Sequence, residues 1–137
     1  MRYLIFLIVF LFSTLACGYS FEDVQYIRNY DGDTITVNIA NVHPLLGDKI
    51  RVRLNNIDTY EMTSKDPTSK KLAIEAKLYV ESVMKRAKKI DLLNVKRCAF
   101  FRIVADVSVD GKDLVTLIKN KGYDESKPKV NLNKSKK

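Results

Sequence analysis

The sequence is poor in the residues that most often carry chemistry. Its 137 residues include two cysteines, Cys17 and Cys98, and one histidine, His43. So few cysteines leave no internal disulfide framework. Cys98 lacks the partner residues that would activate a thiol, so it reads as a small apolar residue on a strand. His43 lies in the connection "NVHPLLG", where a lone histidine reads as solvated rather than as a ligand or base. There are no internal repeats. The one long apolar run, over residues 3–18, is shorter than the roughly 20 residues a spanning helix needs.

That run has a different layout. Arg2 precedes it and the small residues "STLACGYS" close it, the pattern of a secretory signal peptide. Residues 1–20 are therefore expected to be a signal peptide, and the chain an exported one, secreted or periplasmic. Cys17 stands where a lipoprotein cysteine would, which makes a membrane-anchored lipoprotein the alternative, although Thr14 and Leu15 suit that signal poorly. A retained leader would also hold the chain at a membrane. At the other end, residues 127–137, "KPKVNLNKSKK", have five lysines and no acid, and so carry more than half of the net charge of +8. With two isolated apolar residues this segment cannot bury enough to order itself. It reads as a flexible basic arm, either attracting polyanions or simply solubilising the chain.

The domain between, residues 21–126, is large enough for a modest core. Its first half reads as three strands, "VQYIRNY", "DTITVNIA" and "DKIRVRLNNI". "NYDGDTITV" puts an Asp-Gly turn signal between the first two. After the loop "TSKDPTSKK" comes a helix to about Lys88, with Leu72, Ala76, Tyr79, Val80, Val83 and Ala87 as its apolar face. Two more strands follow, around "KIDLLNV" and "AFFRIVADVSV". The turn Asp110–Lys112 then leads into a short helix that Gly122 caps. The expected fold is mainly β with helices (α+β), in the order β-β-β-α-β-β-α, and the five strands suggest an OB-type barrel.

Three places combine acid and arginine beyond the needs of a fold. They are Asp33, opening a strand where Asp is normally depleted; "RLNNIDTYE", with Arg53, Asp58, Thr59 and Glu61; and Arg102, inside an otherwise apolar strand. An EF-hand needs a glycine at its sixth position, and none follows Asp31 and Asp33 at that spacing. Carboxylates from two strands can instead hold a hard cation with a main-chain carbonyl and waters, or they can be plain turn formers. A guanidinium offers a planar fork to two phosphate oxygens, or it pairs with a neighbouring aspartate. A pair of arginines plus a cation would neutralise a phosphodiester during attack.

Taken together in their order, "DGDT" at 31–34, "RLNNIDTYE" at 53–61, and Arg102 followed by "DGK" at 110–112 resemble the staphylococcal (micrococcal) nuclease or thermonuclease family. The likeness runs over about 24–122, helix included. It implies the OB-type fold and a calcium-dependent nuclease active on DNA and RNA, leaving 3′-phosphate ends. Carried over residue by residue, it makes Asp33 and Asp58 the calcium carboxylates, and Thr59 the donor of a main-chain carbonyl. Arg53 and Arg102 become the phosphate-binding arginines, and Glu61 the general base. No protein partner is implied, and a monomer is expected.

The chain also departs from that pattern. Tyr60 stands where the family usually has proline, and Phe100-Phe101 where it has Tyr-Gly. The connection between the second and third strands is longer, and the long C-terminal helix and base-stacking tyrosines have no counterpart; Tyr123 lies nearby without matching them. These departures bear on substrate preference. The rival expectation is a non-catalytic OB-fold module that holds single strands on exposed aromatics such as Tyr60, Phe100 and Phe101. Against it stands the joint presence of Asp33, Arg53, Asp58, Glu61 and Arg102, which a pure binder does not need. A calcium-stabilised surface protein would leave the arginine pair without a purpose.

Overall fold

The computed structural model of the chain describes residues 18–98 and 102–126. Residues 1–17 of the expected 1–20 leader, residues 99–101 with Phe100 and Phe101, and the basic arm over 127–137 lie outside the described residues. Among the described residues no helix is long and apolar enough to cross a membrane.

The strands are β1 (Tyr19–Phe21), β2 (Gln25–Asn29), β3 (Thr34–Asn38), β4 (Ile50–Leu54), β5 (Ile90–Arg97), β6 (Ile103–Val109) and β7 (Lys112–Asp113). The helices are α1 (Pro44–Gly47), α2 (Pro67–Arg86) and α3 (Leu114–Asn120). The fold is thus mixed α and β, with a curled open sheet. The sheet runs β1-β5-β6-β4-β3-β2, with β7 added beside β6. All five expected strands are present. Two short strands at the margins, β1 and β7, raise the total, and α1 occupies what was expected to be a plain connection. β1 also starts the sheet at Tyr19, two residues before the expected domain boundary, by pairing with β5.

Alternation builds the core. Ile35 and Val37 of β3, Val52 and Leu54 of β4, and Ala105 and Val107 of β6 are buried, and the residues between them are not. That period of two puts one face of each strand inside. Ile35, Val37 and Val52 are completely buried, and such side chains stabilise the fold by roughly 1.5–3 kcal/mol each. The join between β4 and β6 is parallel. A parallel pair needs a long crossover, which α2 and β5 supply. Val24 N–H, just ahead of β2, donates to Ile90 O of β5 at 2.8 Å, linking the two arms of the curl.

α2 begins earlier than the apolar periodicity predicts. Asp66 caps it, accepting from Ser69 N–H at 2.8 Å and from Ser69 Oγ at 2.7 Å, and Pro67 takes the first-turn position. Both are start signals that work through side-chain chemistry rather than periodicity. The buried stripe is Ser69, Ala73, Ala76, Val80 and Met84, turned slightly from the expected face, with Leu72, Tyr79, Val83 and Ala87 at its edges. Small residues dominate its first half, so the helix approaches the β2–β3 loop closely. α3 ends as expected. Gly122, at φ +82°, donates to Lys119 O at 3.0 Å, and Tyr123 N–H reaches Ile118 O at 3.4 Å, the paired bonds of a Schellman cap. His43 is exposed, and its Nδ1 accepts from Leu45 N–H at 3.3 Å at the start of α1.

Candidate active site

The site begins with the loop between β2 and β3, residues 30–33. The Asp-Gly pair there does not form the left-handed hairpin turn its sequence suggests, because neither Asp31 nor Gly32 has positive φ. The loop is shaped by side chains instead. Asp31 Oδ1 accepts from Asp33 N–H at 3.1 Å and from Thr34 N–H at 2.7 Å. The buried Asn29 donates to Asp31 O at 2.8 Å and to Lys77 O of α2 at 3.0 Å, so it ties the loop to the helix. Tyr26 Oη donates to Asn29 Oδ1 at 2.5 Å. Burial, with a smaller push from Glu81, lifts the Tyr26 hydroxyl to about 12, so it stays protonated. Gly32 is required by proximity. A Cβ there would come within 2.9 Å of Ala76 Cβ and of the Thr59 side chain.

This loop delivers Asp33, whose side chain is only 6% exposed. Its carboxylate has three partners. Oδ2 accepts from Thr59 N–H at 3.1 Å, and Oδ1 accepts from Thr34 Oγ1 at 3.0 Å and from Arg53 Nη1 at 3.1 Å. Arg53 then reaches on, donating from Nη2 to Asp58 Oδ1. One guanidinium therefore spans two carboxylates, one buried and one exposed. Asp31, beside them, has its carboxyl pushed up, first by burial and then by the charge of Asp33.

Residues 58–61 approach from the far side. Glu125 N–H donates to Asp58 O at 2.9 Å, and Thr59 bridges Asp124. Tyr60 is buried, so it anchors the segment and cannot serve as the exposed stacking aromatic expected of a binding module. Glu61 is exposed, its Oε2 accepting from Thr63 Oγ1 at 3.3 Å. Asp33, Arg53, Asp58, Thr59 and Glu61 all line one cavity of about 480 Å³, together with Tyr30, Asp31 and Glu125. Glu125 and Tyr30 went unnoticed in the sequence. Tyr30 adjoins a motif and carried a signal, whereas Glu125 arrives through the Thr59–Asp124 bridge, which no local pattern announces.

Arg102 stands apart from this group. It lines a neighbouring apolar groove, and its Nε is buried with no hydrogen-bond partner among the described residues. Cys98, partly buried, receives no new role; its N–H donates to Arg102 O at 2.9 Å across the closed end of the hairpin.

Among the described residues no group of three or more His, Cys, Asp or Glu is assembled to hold a metal. The donors present are nonetheless suited to a hard cation. Two carboxylates converge, all the available donors are oxygens, and the Arg53 guanidinium already gathers Asp33 and Asp58 around one positive charge. A comparison with protein-family models and with curated proteins finds no match for the chain.

Proposed function

We propose that the chain is a metal-dependent phosphodiesterase acting on nucleic acid, built on an OB-type barrel. The particular activity we infer is that of an exported, calcium-dependent nuclease of the thermonuclease kind, cutting DNA and RNA and leaving 3′-phosphate ends. One observation carries this reading: Arg53 joins Asp33 and Asp58 in the pocket that Glu61 and Thr59 also line. The barrel reading is supported by the spatial order of the five long strands, first-second-third-fifth-fourth, and by the Val24–Ile90 hydrogen bond between the arms of the sheet.

Asp33, Asp58 and the Thr59 carbonyl would hold the calcium ion. When bound, it would supply positive charge against the phosphate and favour attack on phosphorus. The rest of the chemistry belongs to the chain. Arg53 exchanges carboxylate oxygens for phosphate oxygens, and its planar fork suits both. Arg102 grips the same diester from the side of the apolar groove. Glu61, exposed on the pocket wall, takes the proton from the attacking water. The 5′-oxygen leaves in line and takes a proton from solvent to become the 5′-hydroxyl, and charge developing on the phosphoryl oxygens is met by groups already oriented.

A second reading has one observation in its favour. Arg53 is fully committed to Asp33 and Asp58, so the pocket is already internally paired and a site that only binds strands would be content with it. One experiment separates the two. Single- and double-stranded DNA and RNA are incubated with the protein in calcium, in magnesium and in chelator, while calcium binding to Asp33→Asn and Asp58→Asn is followed by calorimetry. Cleavage that needs a divalent cation, together with weakened calcium binding in both variants, supports the nuclease. Strand binding without cleavage under every cation supports the binding module.

A further inference from the structure

Beside Arg102 lies an apolar groove of about 420 Å³. Its walls come from β1, α1, the start of β4 and the closed end of the β5–β6 hairpin. Tyr19, Leu45 and Leu46 stand at its rim, 80%, 84% and 65% exposed, a large cost in unburied apolar surface for so small a domain. Two of its lining residues are charged, Arg97 and Arg102, and none is acidic. Among the described residues the Arg102 Nε has no hydrogen-bond partner.

We propose that this groove receives a nucleobase of a single-stranded nucleic acid, the base adjoining the phosphate held in the acidic pocket. The inference rests on the nuclease reading for the identity of that phosphate, but not for the groove's chemistry. A nucleic-acid strand alternates anionic phosphates with flat, weakly polar bases. The groove offers the complement: guanidinium groups set into an apolar wall, free of competing carboxylate. The two concavities are also close along the chain. β4 carries Ile50 in the groove and Arg53 in the pocket, three residues or about 10 Å apart along the strand and on opposite faces of it. Between them Val52 pairs with Ile103, the neighbour of Arg102. A duplex cannot present a base there without opening, because its bases are stacked and paired, so the groove selects single strands and frayed ends.

The sequence has no tryptophan, which makes a direct test available. Leu45→Trp, on α1 and inside the expected mature domain, places the sole indole at the rim of the groove. Its emission is expected to change saturably on addition of a single-stranded oligonucleotide in calcium with Glu61→Gln as the background, and hardly at all with an equal concentration of sugar-phosphate oligomer lacking bases. Leu46→Ser, which leaves the core untouched, should lower kcat/KM on the normal single strand about tenfold, the worth of one leucine contact. That penalty should vanish on a substrate made abasic beside the cut. Equal penalties on both substrates, or an indole that responds to the baseless oligomer as strongly, overturn the proposal. A response to anionic vesicles but not to the oligonucleotide would make the groove a membrane contact and overturn it too, as would a Leu46→Ser change confined to self-association. If cleavage never occurs but the indole reports bases, the groove assignment stands and the nuclease reading falls. If cleavage is robust and Leu46→Ser is indifferent to the base, the reverse holds.

Discussion

The acidic pocket and the apolar groove lie at opposite ends of β4, and they are held in place by different means. The pocket is over-determined. Asp33 is buried and triply bonded, Asn29 straps its loop to α2, and Gly32 leaves just enough room for Thr59 and Ala76. The groove is under-determined. Three of its large side chains are mostly in solvent, and the Arg102 Nε is unmet among the described residues. Preorganised polar groups are what a reacting phosphate requires, and loosely held apolar walls are what tolerant recognition of bases requires. The contrast is what the proposed function calls for, with chemistry at one end and recognition at the other.

Substitutions should divide along that line. The largest losses belong to the pocket. Asp33→Asn keeps the shape and removes the charge, and should lower the cleavage rate about 10³-fold with calcium affinity reduced in parallel. A folded variant with full activity and unchanged calcium binding would dissolve the contrast. Next come the arginines. Arg102→Lys keeps its charge but loses the fork, costing about 3 kcal/mol of transition-state stabilisation. Arg53→Lys should cost a similar amount and also weaken ground-state binding, because Lys cannot span Asp33 and Asp58 together. Single-turnover rates against binding constants would separate these two patterns.

Smaller effects are expected in stability. Asn29→Ala takes the side-chain partner from Asp31 O and from the Tyr26 hydroxyl and cuts the strap to Lys77 O, and should destabilise by about 1–3 kcal/mol while slowing cleavage through Asp33. Gly32→Ala drives a methyl against Thr59 and Ala76, at about 1–3 kcal/mol. Gly111→Ala meets no atom within 4 Å but keeps a φ of +79°, which costs about 1 kcal/mol and should leave cleavage at the wild-type rate. Urea unfolding and a cleavage assay on the same three proteins rank them. Loss of activity in Gly111→Ala would mean that the two Asp-Gly sites are not as different as their surroundings.

Those two Asp-Gly pairs also mark how far the sequence could be read. Asp110-Gly111 is the turn its letters promise, with both residues at positive φ joining β6 to β7. Asp31-Gly32 has the same letters and another geometry, because its glycine answers to a helix 44 residues away in sequence. Period-two alternation made the five long strands legible, and the cluster Asp33, Arg53, Asp58, Thr59 and Glu61 was legible because four of its members share one short segment. Where partners are distant, the signal fails. β1 is three residues long and depends on β5. The turn of α2 around its axis depends on what packs against Ala73 and Ala76. Glu125 reaches the pocket only through Asp124. Arg102 was placed with the acids by resemblance, while its position in the fold puts it on the groove wall, from which it would have to reach the shared phosphate.

The most direct test of the hydrolytic role given to the pocket is Glu61→Gln, measured for single-turnover cleavage and for equilibrium binding of one oligonucleotide in calcium. Glu61 is exposed and bonded only to its own loop, so the variant should fold as the wild type does. The rate is expected to fall by roughly 10²–10⁴, the usual share of a general base, with affinity unchanged or slightly tighter as a negative charge is lost. Cleavage by Glu61→Gln at the wild-type rate, or a wild type that binds the strand and never cuts it, would contradict the account.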